Sequence, residues 1–169
     1  MKGMKEGVTR LLSAIDRREK IVVYGDYDVD GITSTSILVR CLKGMGADVG
    51  YYIPRRETEG YGLNEKALLS LRKEGYTLLI TVDCGISSAE LIARKPEGLD
   101  IIVTDHHTPP EQLPACIAVI NPHQKDCPYP YKELAGCGVA FMVARALHLA
   151  RDGVDFTDNV ELAALGTIA

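Results

Sequence analysis

Short apolar segments alternate with helical patterns along this chain. The segments at 21–24, 77–82 and 100–103 are rich in aliphatic and β-branched side chains, and apolar residues recur at helical spacing between them. Strands without a polar face are typical of a parallel sheet that helices cover on both sides. The sequence therefore predicts an α/β fold, with a doubly wound, mostly parallel five-stranded sheet and helices on both faces.

The pattern predicts the positions of the individual elements. Strands are expected at 21–24, 48–54, 77–82, 100–103 and 118–120, and helices at about 4–15, 32–45, 65–74, 88–94, 138–150 and 159–165. Asn64 is suited to cap the third helix and Gly75 to end it. No repeat or Gly/Pro-rich linker divides the 169 residues, so one domain over 1–169 is predicted.

The composition limits the classes of protein. A chain with 46% hydrophobic and 25% charged residues suits a globular domain, and no apolar run is long enough to span a bilayer or to serve as a signal peptide. The cytoplasm is therefore the default location. Five cysteines without a CxxC pattern indicate reduced thiols. The net charge of −4 argues against a protein that coats DNA by charge alone, but a cluster of metal ligands would lower the charge of a nuclease.

Residues with ligand chemistry follow three of the predicted strands. They are Asp26, Asp28 and Asp30 after the first strand, Asp83 after the third, and Asp105, His106 and His107 after the fourth. Ligands of such sheets bind outside the carboxyl ends of the strands. An acidic turn by itself is usually solvated or caps a helix, but carboxylates gathered at one edge repel each other unless cations compensate. The sequence therefore predicts a metal site at this edge.

The segment YGDYDVDG at 24–31 also resembles the start of a calcium-binding EF-hand loop. A loop that begins at Asp26 has the required glycine at Gly31, but its twelfth position, where a bidentate glutamate is needed, is Ile37. An EF-hand loop also follows a helix, whereas this segment follows a predicted strand. The imidazole of His106 favours a transition metal such as manganese.

A receiver-like signalling domain is an alternative of another class with the same predicted sheet. Asp83 would then be the phosphoacceptor and Thr104 the hydroxyl switch. Receivers place a lysine after the fifth strand, where this chain has Ile-Asn-Pro at 120–122, and they do not use the paired histidines.

Seven segments, in this order, make the chain resemble the DHH phosphoesterases, which are named for an Asp-His-His triplet. The segments are YGDYDVDGITST at 24–35, EGYGLN at 59–64, TVDCGIS at 81–87, VTDHH at 103–107, INP at 120–122, CPYPYKELAGCGVAF at 127–141 and ALGTIA at 164–169. The sixth segment favours the exonucleases of this family that are specific for single-stranded DNA. A family phosphodiesterase that acts on short oligonucleotides or cyclic dinucleotides is the alternative.

The resemblance implies hydrolysis of phosphodiester bonds with two Mn²⁺ or Mg²⁺ ions, from a 5′ end of single-stranded DNA, in DNA repair and recombination. A helicase or a single-strand-binding protein would be a suitable partner. By resemblance, the metal ligands are Asp26, Asp28, Asp30, Asp83 and His106, with Asp83 bridging the ions. The catalytic residues would be Asp28, Asp30, Asp83, His106 and His107. His107 would face the scissile phosphate or lie behind the ligands, and Asp105 would orient an imidazole.

Other residues are weaker candidates for contact with DNA. Arg55 and Arg56 follow the second predicted strand and could pair with phosphate, although a solvated basic pair is equally expected. Tyr61 could stack on a base. Gly136 and Gly138 precede a predicted helix whose amides could hold an anion, unless these glycines serve only the packing of a loop.

The resemblance also implies residues beyond these 169. Family members of this kind continue ALGTIA with an aspartate that completes the metal set, and they carry a second domain and, in many cases, an oligonucleotide-binding domain. We therefore expect 1–169 to be a truncated DHH domain that folds, binds metal at reduced occupancy and is poorly active alone.

Overall fold

The computed structural model describes residues 1–169 and contains a single sheet of five parallel strands with seven helices. The strands are β1 (Lys20–Tyr24), β2 (Asp48–Tyr52), β3 (Leu78–Thr81), β4 (Asp100–Thr104) and β5 (Ala118–Ile120). The helices are α1 (Met4–Asp16), α2 (Val29–Gly44), α3 (Arg56–Glu59), α4 (Glu65–Lys73), α5 (Ala89–Ala93), α6 (Gly136–Asp152) and α7 (Val160–Ile168). None of these helices has both the length and the apolar character that crossing a membrane requires.

The predicted fold class is confirmed, and the differences lie at the ends of elements and in one additional helical turn. Strand β2 stops at Tyr52, two residues before Pro54, which has no amide to donate to a ladder. Helix α2 begins earlier than predicted, because the Asp28 carboxylate accepts a hydrogen bond from the amide of Gly31 and caps the helix. Asn64 caps α4 as predicted. The single turn α3 was not predicted.

Helices cover both faces of the sheet. On one face, Ile21 and Val23 of β1 pack in a core of 26 buried residues with α1, α2, α6 and α7. On the other face, Val22 and Tyr24 pack in a core of 13 buried residues with α4 and α5. Successive side chains of a strand point to opposite faces, so a strand buried on both sides must be apolar throughout.

The strand order β2-β1-β3-β4-β5 creates a topological switch point between β1 and β3. From β1 the chain crosses to β2 on one side, and it then returns to β3 on the other side of β1. Connections that leave neighbouring strands in opposite directions open a crevice at their carboxyl ends, where open α/β sheets bind ligands. The segment 26–30 follows β1 and Asp83 follows β3, so both lie at this crevice.

Candidate metal centre

Two groups of possible metal ligands meet at the crevice, and both include Asp83. One group is Asp26, Asp28 and Asp83, and the other is Asp83, His106 and His107; within each group the potential ligand atoms lie within 4.8 Å of one another. Nε2 of His106 is 3.1 Å from Oδ1 of Asp83 and 3.6 Å from Oδ2 of Asp30. The residues predicted from three separate strand ends are therefore brought together.

The local backbone places these carboxylates close to one another. Asp83 adopts a φ of 59°, in the left-handed region that aspartate tolerates better than most residues. At Gly31 a β-carbon would lie 2.5 Å from the carbonyl oxygen of Asp26, so the absence of a side chain lets the start of α2 approach the acidic segment. Asp28 caps α2 and contributes to the metal-ligand group at the same time.

The centre contains buried negative charge without matching protein donors. Asp26 and Asp83 are only 1% and 2% exposed. Oδ1 of Asp26 has no hydrogen-bond partner, and Oδ1 of Asp83 has none apart from the nearby imidazole of His106. Burial, together with the negative charges of Asp30 and Asp28, raises the pKa of Asp83 to about 6. Burial and the charge of Asp28 also raise the pKa of Asp26. Unpaired buried carboxylates are unfavourable unless a cation compensates them, so this donor set fits a divalent metal.

Asp105 is buried and its two oxygens are already used within the chain. Oδ1 accepts from Nδ1 of His107 at 2.7 Å and from the amides of His106 and His107, and Oδ2 accepts from the amide of Ile86 at 2.9 Å. Burial acts to raise the pKa of Asp105, but these hydrogen bonds outweigh it and lower the pKa. The geometry suits the orienting role predicted for Asp105 rather than metal ligation.

Both histidines of the triplet have a carboxylate partner. The contact with Asp83 raises the pKa of His106 despite its burial, and the hydrogen bond to Asp105 raises that of His107. The His107 side chain is 48% exposed. Because Nδ1 of His107 is tied to Asp105 and no contact engages Nε2, this nitrogen remains available to a ligand.

Asp30 contacts the start of α6. Its Oδ2 accepts a hydrogen bond from the amide of Gly136 at 2.7 Å, and its Oδ1 accepts one from the amide of Cys137 at 2.6 Å. This differs from the prediction that the segment with Gly136 and Gly138 holds a substrate anion, because the anion at these amides is a side chain of the protein. The involvement of Cys137 was missed, because its backbone amide donates the hydrogen bond and a sequence pattern does not single out an amide.

The loop between β2 and α4 borders the centre. The Arg56 guanidinium lies 5.4 Å from the ring centroid of Tyr27, and its charge acts to lower the pKa of Asp26 against the larger effect of burial. The Tyr61 hydroxyl donates to the carbonyl of Asp83 at 3.1 Å, and its ring lies edge-on to that of His107, with centroids 6.1 Å apart. Arg55 is exposed on the same loop.

Hydrogen bonds from side chains that were not predicted to belong to the site hold this loop in place. Glu59 accepts hydrogen bonds from the Tyr52 hydroxyl, from the Arg55 amide at 2.9 Å and from the Asn64 side chain at 3.3 Å. The buried Tyr24 stacks on Tyr52, with centroids 5.1 Å apart, and donates to the carbonyl of Gly62 at 2.9 Å. The segment EGYGLN contains Glu59 and Asn64, but a sequence pattern does not reveal their hydrogen-bond partners Tyr52 and Tyr24 on β2 and β1.

A family model described as "DHH family, N-terminal domain" matches residues 20–167. The chain belongs to the DHH family. The match contains every element from β1 to α6, α7 except for its last residue, and all the residues of the candidate metal centre.

The DHH chain is 50% identical, over 100% of its length, to the single-stranded-DNA-specific exonuclease RecJ of Bacillus subtilis, of which it covers 21%. It matches the crystal structure of exonuclease RecJ bound to manganese with a TM-score of 0.91 at 40% identity, over 100% of this chain and 43% of that one. RecJ of Thermus thermophilus in complex with Mn²⁺ matches with a TM-score of 0.83 at 39% identity, over 100% and 24%. The chain thus spans less than half the length of each.

Membership of the DHH family overturns the receiver-like alternative. The structure gives a physical reason as well, because the buried Thr104 hydroxyl donates to the carbonyl of Thr81 at 2.6 Å. A hydroxyl engaged in this way is not free to follow the phosphorylation state of Asp83.

Proposed function

We propose that this DHH chain carries the metal centre of an enzyme that hydrolyses single-stranded DNA from a 5′ end, using Mn²⁺ or Mg²⁺. The observation that carries the proposal is the presence of Asp83 in both ligand groups, with buried carboxylate oxygens that have no protein donor. The similarity to exonucleases named as specific for single-stranded DNA supports the substrate class. The same proposal includes roles in repair and recombination, a helicase or single-strand-binding protein as partner, and a cytoplasmic location.

Asp26, Asp28 and Asp83 would hold one ion, and Asp83, His106 and Asp30 would hold the other. When bound, two divalent ions supply Lewis-acid activation of water and of phosphate oxygens. The chain's own contribution is to hold these carboxylates and an imidazole at one sheet edge before any ion arrives. Asp83 is suited to bridging because it is buried and belongs to both groups.

His107 would act on the phosphate rather than on the metal. Its Nδ1 is fixed by Asp105, and this contact raises its pKa, which favours the protonated form of the ring. A protonated Nε2 would donate a hydrogen bond to a phosphate oxygen as negative charge develops there. Asp105 would keep the ring in the orientation that this donation needs.

The loop between β2 and α4 would meet the DNA strand. Arg55 and Arg56 would pair with phosphate oxygens, and Tyr61 would offer its half-exposed ring to a base. We assign no substrate contact to the amides of Gly136 and Cys137, since Asp30 occupies them.

Metal binding is tested first, by calorimetric titration of the 169-residue chain with Mn²⁺. We expect binding in the wild type and its loss in Asp83→Ala, with Asp158→Ala as a control outside the centre. Equal affinity in Asp83→Ala would refute the bridging role. A far-ultraviolet circular dichroism spectrum shows whether each variant is folded.

Hydrolysis is tested with 5′-labelled and 3′-labelled single strands, the matching duplex, a dinucleotide and a cyclic dinucleotide. We expect slow Mn²⁺-dependent release of mononucleotides from the 5′ end of the single strand, absent in Asp83→Ala. Slow turnover is expected because the chain spans only part of its exonuclease relatives. Preference for the dinucleotide or the cyclic dinucleotide would favour the phosphodiesterase alternative, and rapid degradation would contradict the expected weak activity.

A further inference from the structure

The first turn of α6 touches two of the acidic residues at the candidate metal centre. Its first two amides, from Gly136 and Cys137, donate to the two oxygens of Asp30. At Gly136, the position that a β-carbon would occupy lies 2.6 Å from Oδ1 and 2.7 Å from Cβ of Asp83. One turn of helix therefore contacts both Asp30 and Asp83, whose carboxylates lie within 4 Å of Nε2 of His106.

The two amides fix the carboxylate of Asp30 in one orientation. Hydrogen bonds to an ionised carboxylate are stronger than neutral ones, and the N-terminus of a helix adds a favourable positive potential. Each carboxylate oxygen has two lone pairs, so an oxygen that accepts one hydrogen bond from an amide still has a lone pair to bind a cation. Oδ2 of Asp30 remains 3.6 Å from Nε2 of His106 while it accepts from Gly136.

The requirement for glycine at 136 is one of space rather than of backbone conformation. Gly136 does not adopt a positive φ, unlike eight other glycines of the chain. A methyl group would instead overlap the Asp83 side chain, whose own backbone lies in the left-handed region. Asp83 is buried, so it has little room to retreat.

Ordinary capping does not account for this contact. The residue at the cap position of α6, Ala135, has no side chain that can accept from the helix amides. The acceptor comes instead from Asp30, which lies 106 residues earlier in the sequence, at the start of α2. The start of α6 is thus tied to the acidic segment itself.

We infer that Gly136 and Cys137 are positioning residues of the metal centre. The Cys137 amide, with that of Gly136, sets the orientation of Asp30, and the bare α-carbon of Gly136 leaves the space that Asp83 occupies. The inference rests on the proposed function only in that the centre binds a divalent metal. Groups that orient metal ligands typically change metal affinity about 10- to 100-fold when they are altered.

The test compares Gly136→Ala with Gly138→Ala by calorimetric titration with Mn²⁺. Both changes add one methyl group to the same helix turn, but at 138 the methyl meets only the flexible end of Leu134, whose Cδ2 is 2.9 Å away. We expect Mn²⁺ affinity to fall at least about tenfold in Gly136→Ala and to stay near that of the wild type in Gly138→Ala. Equal affinities in a folded Gly136→Ala protein would overturn the inference.

A second measurement decides the question if Gly136→Ala does not fold. In the ¹⁵N-labelled wild type, titration with diamagnetic Mg²⁺ should move the amide resonances of Gly136 and Cys137 in step with metal binding, and those of the distant Gly44 should not move. Stationary Gly136 and Cys137 resonances at saturating Mg²⁺ would overturn the inference. Absence of any metal binding by the wild type would instead refute the proposed function.

Discussion

Nδ1 of His107 lies 2.7 Å from Oδ1 of Asp105, and this contact joins the most exposed side chain of the triplet to the most buried one. The contact raises the pKa of His107. We predict that Asp105→Asn lowers the pKa of His107, because the amide has no charge to stabilise the imidazolium. Proton NMR titration of the imidazole C2 hydrogens measures this directly. An unchanged pKa in a folded variant would contradict the proposed orienting role of Asp105.

The same pair predicts how stability depends on pH. Folding lowers the pKa of Asp105 from 3.8, so its contribution is present above that pH and is lost as the pH falls through the folded value. Folding raises the pKa of His107 from 6.5, so its contribution is present below that pH and is lost as the pH rises through the folded value. Asp105→Asn should therefore lower the Tm most at about pH 5, between the two unfolded values. A constant difference in Tm from acidic to alkaline pH would contradict this prediction.

Metal should stabilise the fold more strongly above the pKa of Asp83 than below it. Burial raises this pKa from 3.8 to about 6. Protonated Asp83 therefore contributes to stability below pH 3.8, and this contribution is lost as the pH rises through about 6. At higher pH the metal-free protein carries a buried charge that a cation would compensate, whereas at lower pH protons compete with the metal. We expect the Mn²⁺-induced rise in Tm to shrink between about pH 7.5 and pH 5. Differential scanning fluorimetry measures it, and an equal rise at both values would refute the prediction.

The sequence was sufficient to predict the features that depend only on the strands being parallel. Strands apolar on both faces predict a parallel sheet, and a parallel sheet brings the residues after β1, β3 and β4 to one edge. The contact between Asp30 and α6 was not predictable in this way, because it joins residues 106 positions apart through backbone amides. The anchoring of Glu59 by Tyr52 was also missed, since α3 is one turn long and has no periodic pattern.

Glu59 should control the mobility of the loop that carries Arg55 and Arg56. Its carboxylate joins the end of β2 to α3 and to Asn64 through three hydrogen bonds. We predict that Glu59→Gln weakens these bonds and makes the loop open more often, because the charge that strengthens them is gone. Limited trypsin digestion, followed by mass spectrometry of cleavage after Arg55 and Arg56, should then be faster. Glu57→Gln on the same turn is the control, because Glu57 is exposed and has no hydrogen bond. Equal cleavage rates in both variants would show that Glu59 does not restrain the loop.

Gly31 and Gly44 lie near opposite ends of α2 and should respond oppositely to alanine. At Gly31 the added carbon would lie 2.5 Å from the carbonyl oxygen of Asp26, a backbone atom that can yield only if the acidic segment moves, whereas at Gly44 nothing lies within 4 Å. We expect Gly31→Ala to cost about 1–3 kcal/mol of unfolding free energy through overpacking, and Gly44→Ala to gain about 0.5–1 kcal/mol through lower chain entropy. Urea titration of the metal-free proteins measures both. Displacement of Asp26 should also weaken Mn²⁺ binding in Gly31→Ala alone. If Gly31→Ala matched Gly44→Ala in both stability and affinity, close packing of α2 against Asp26 would not be what shapes the centre.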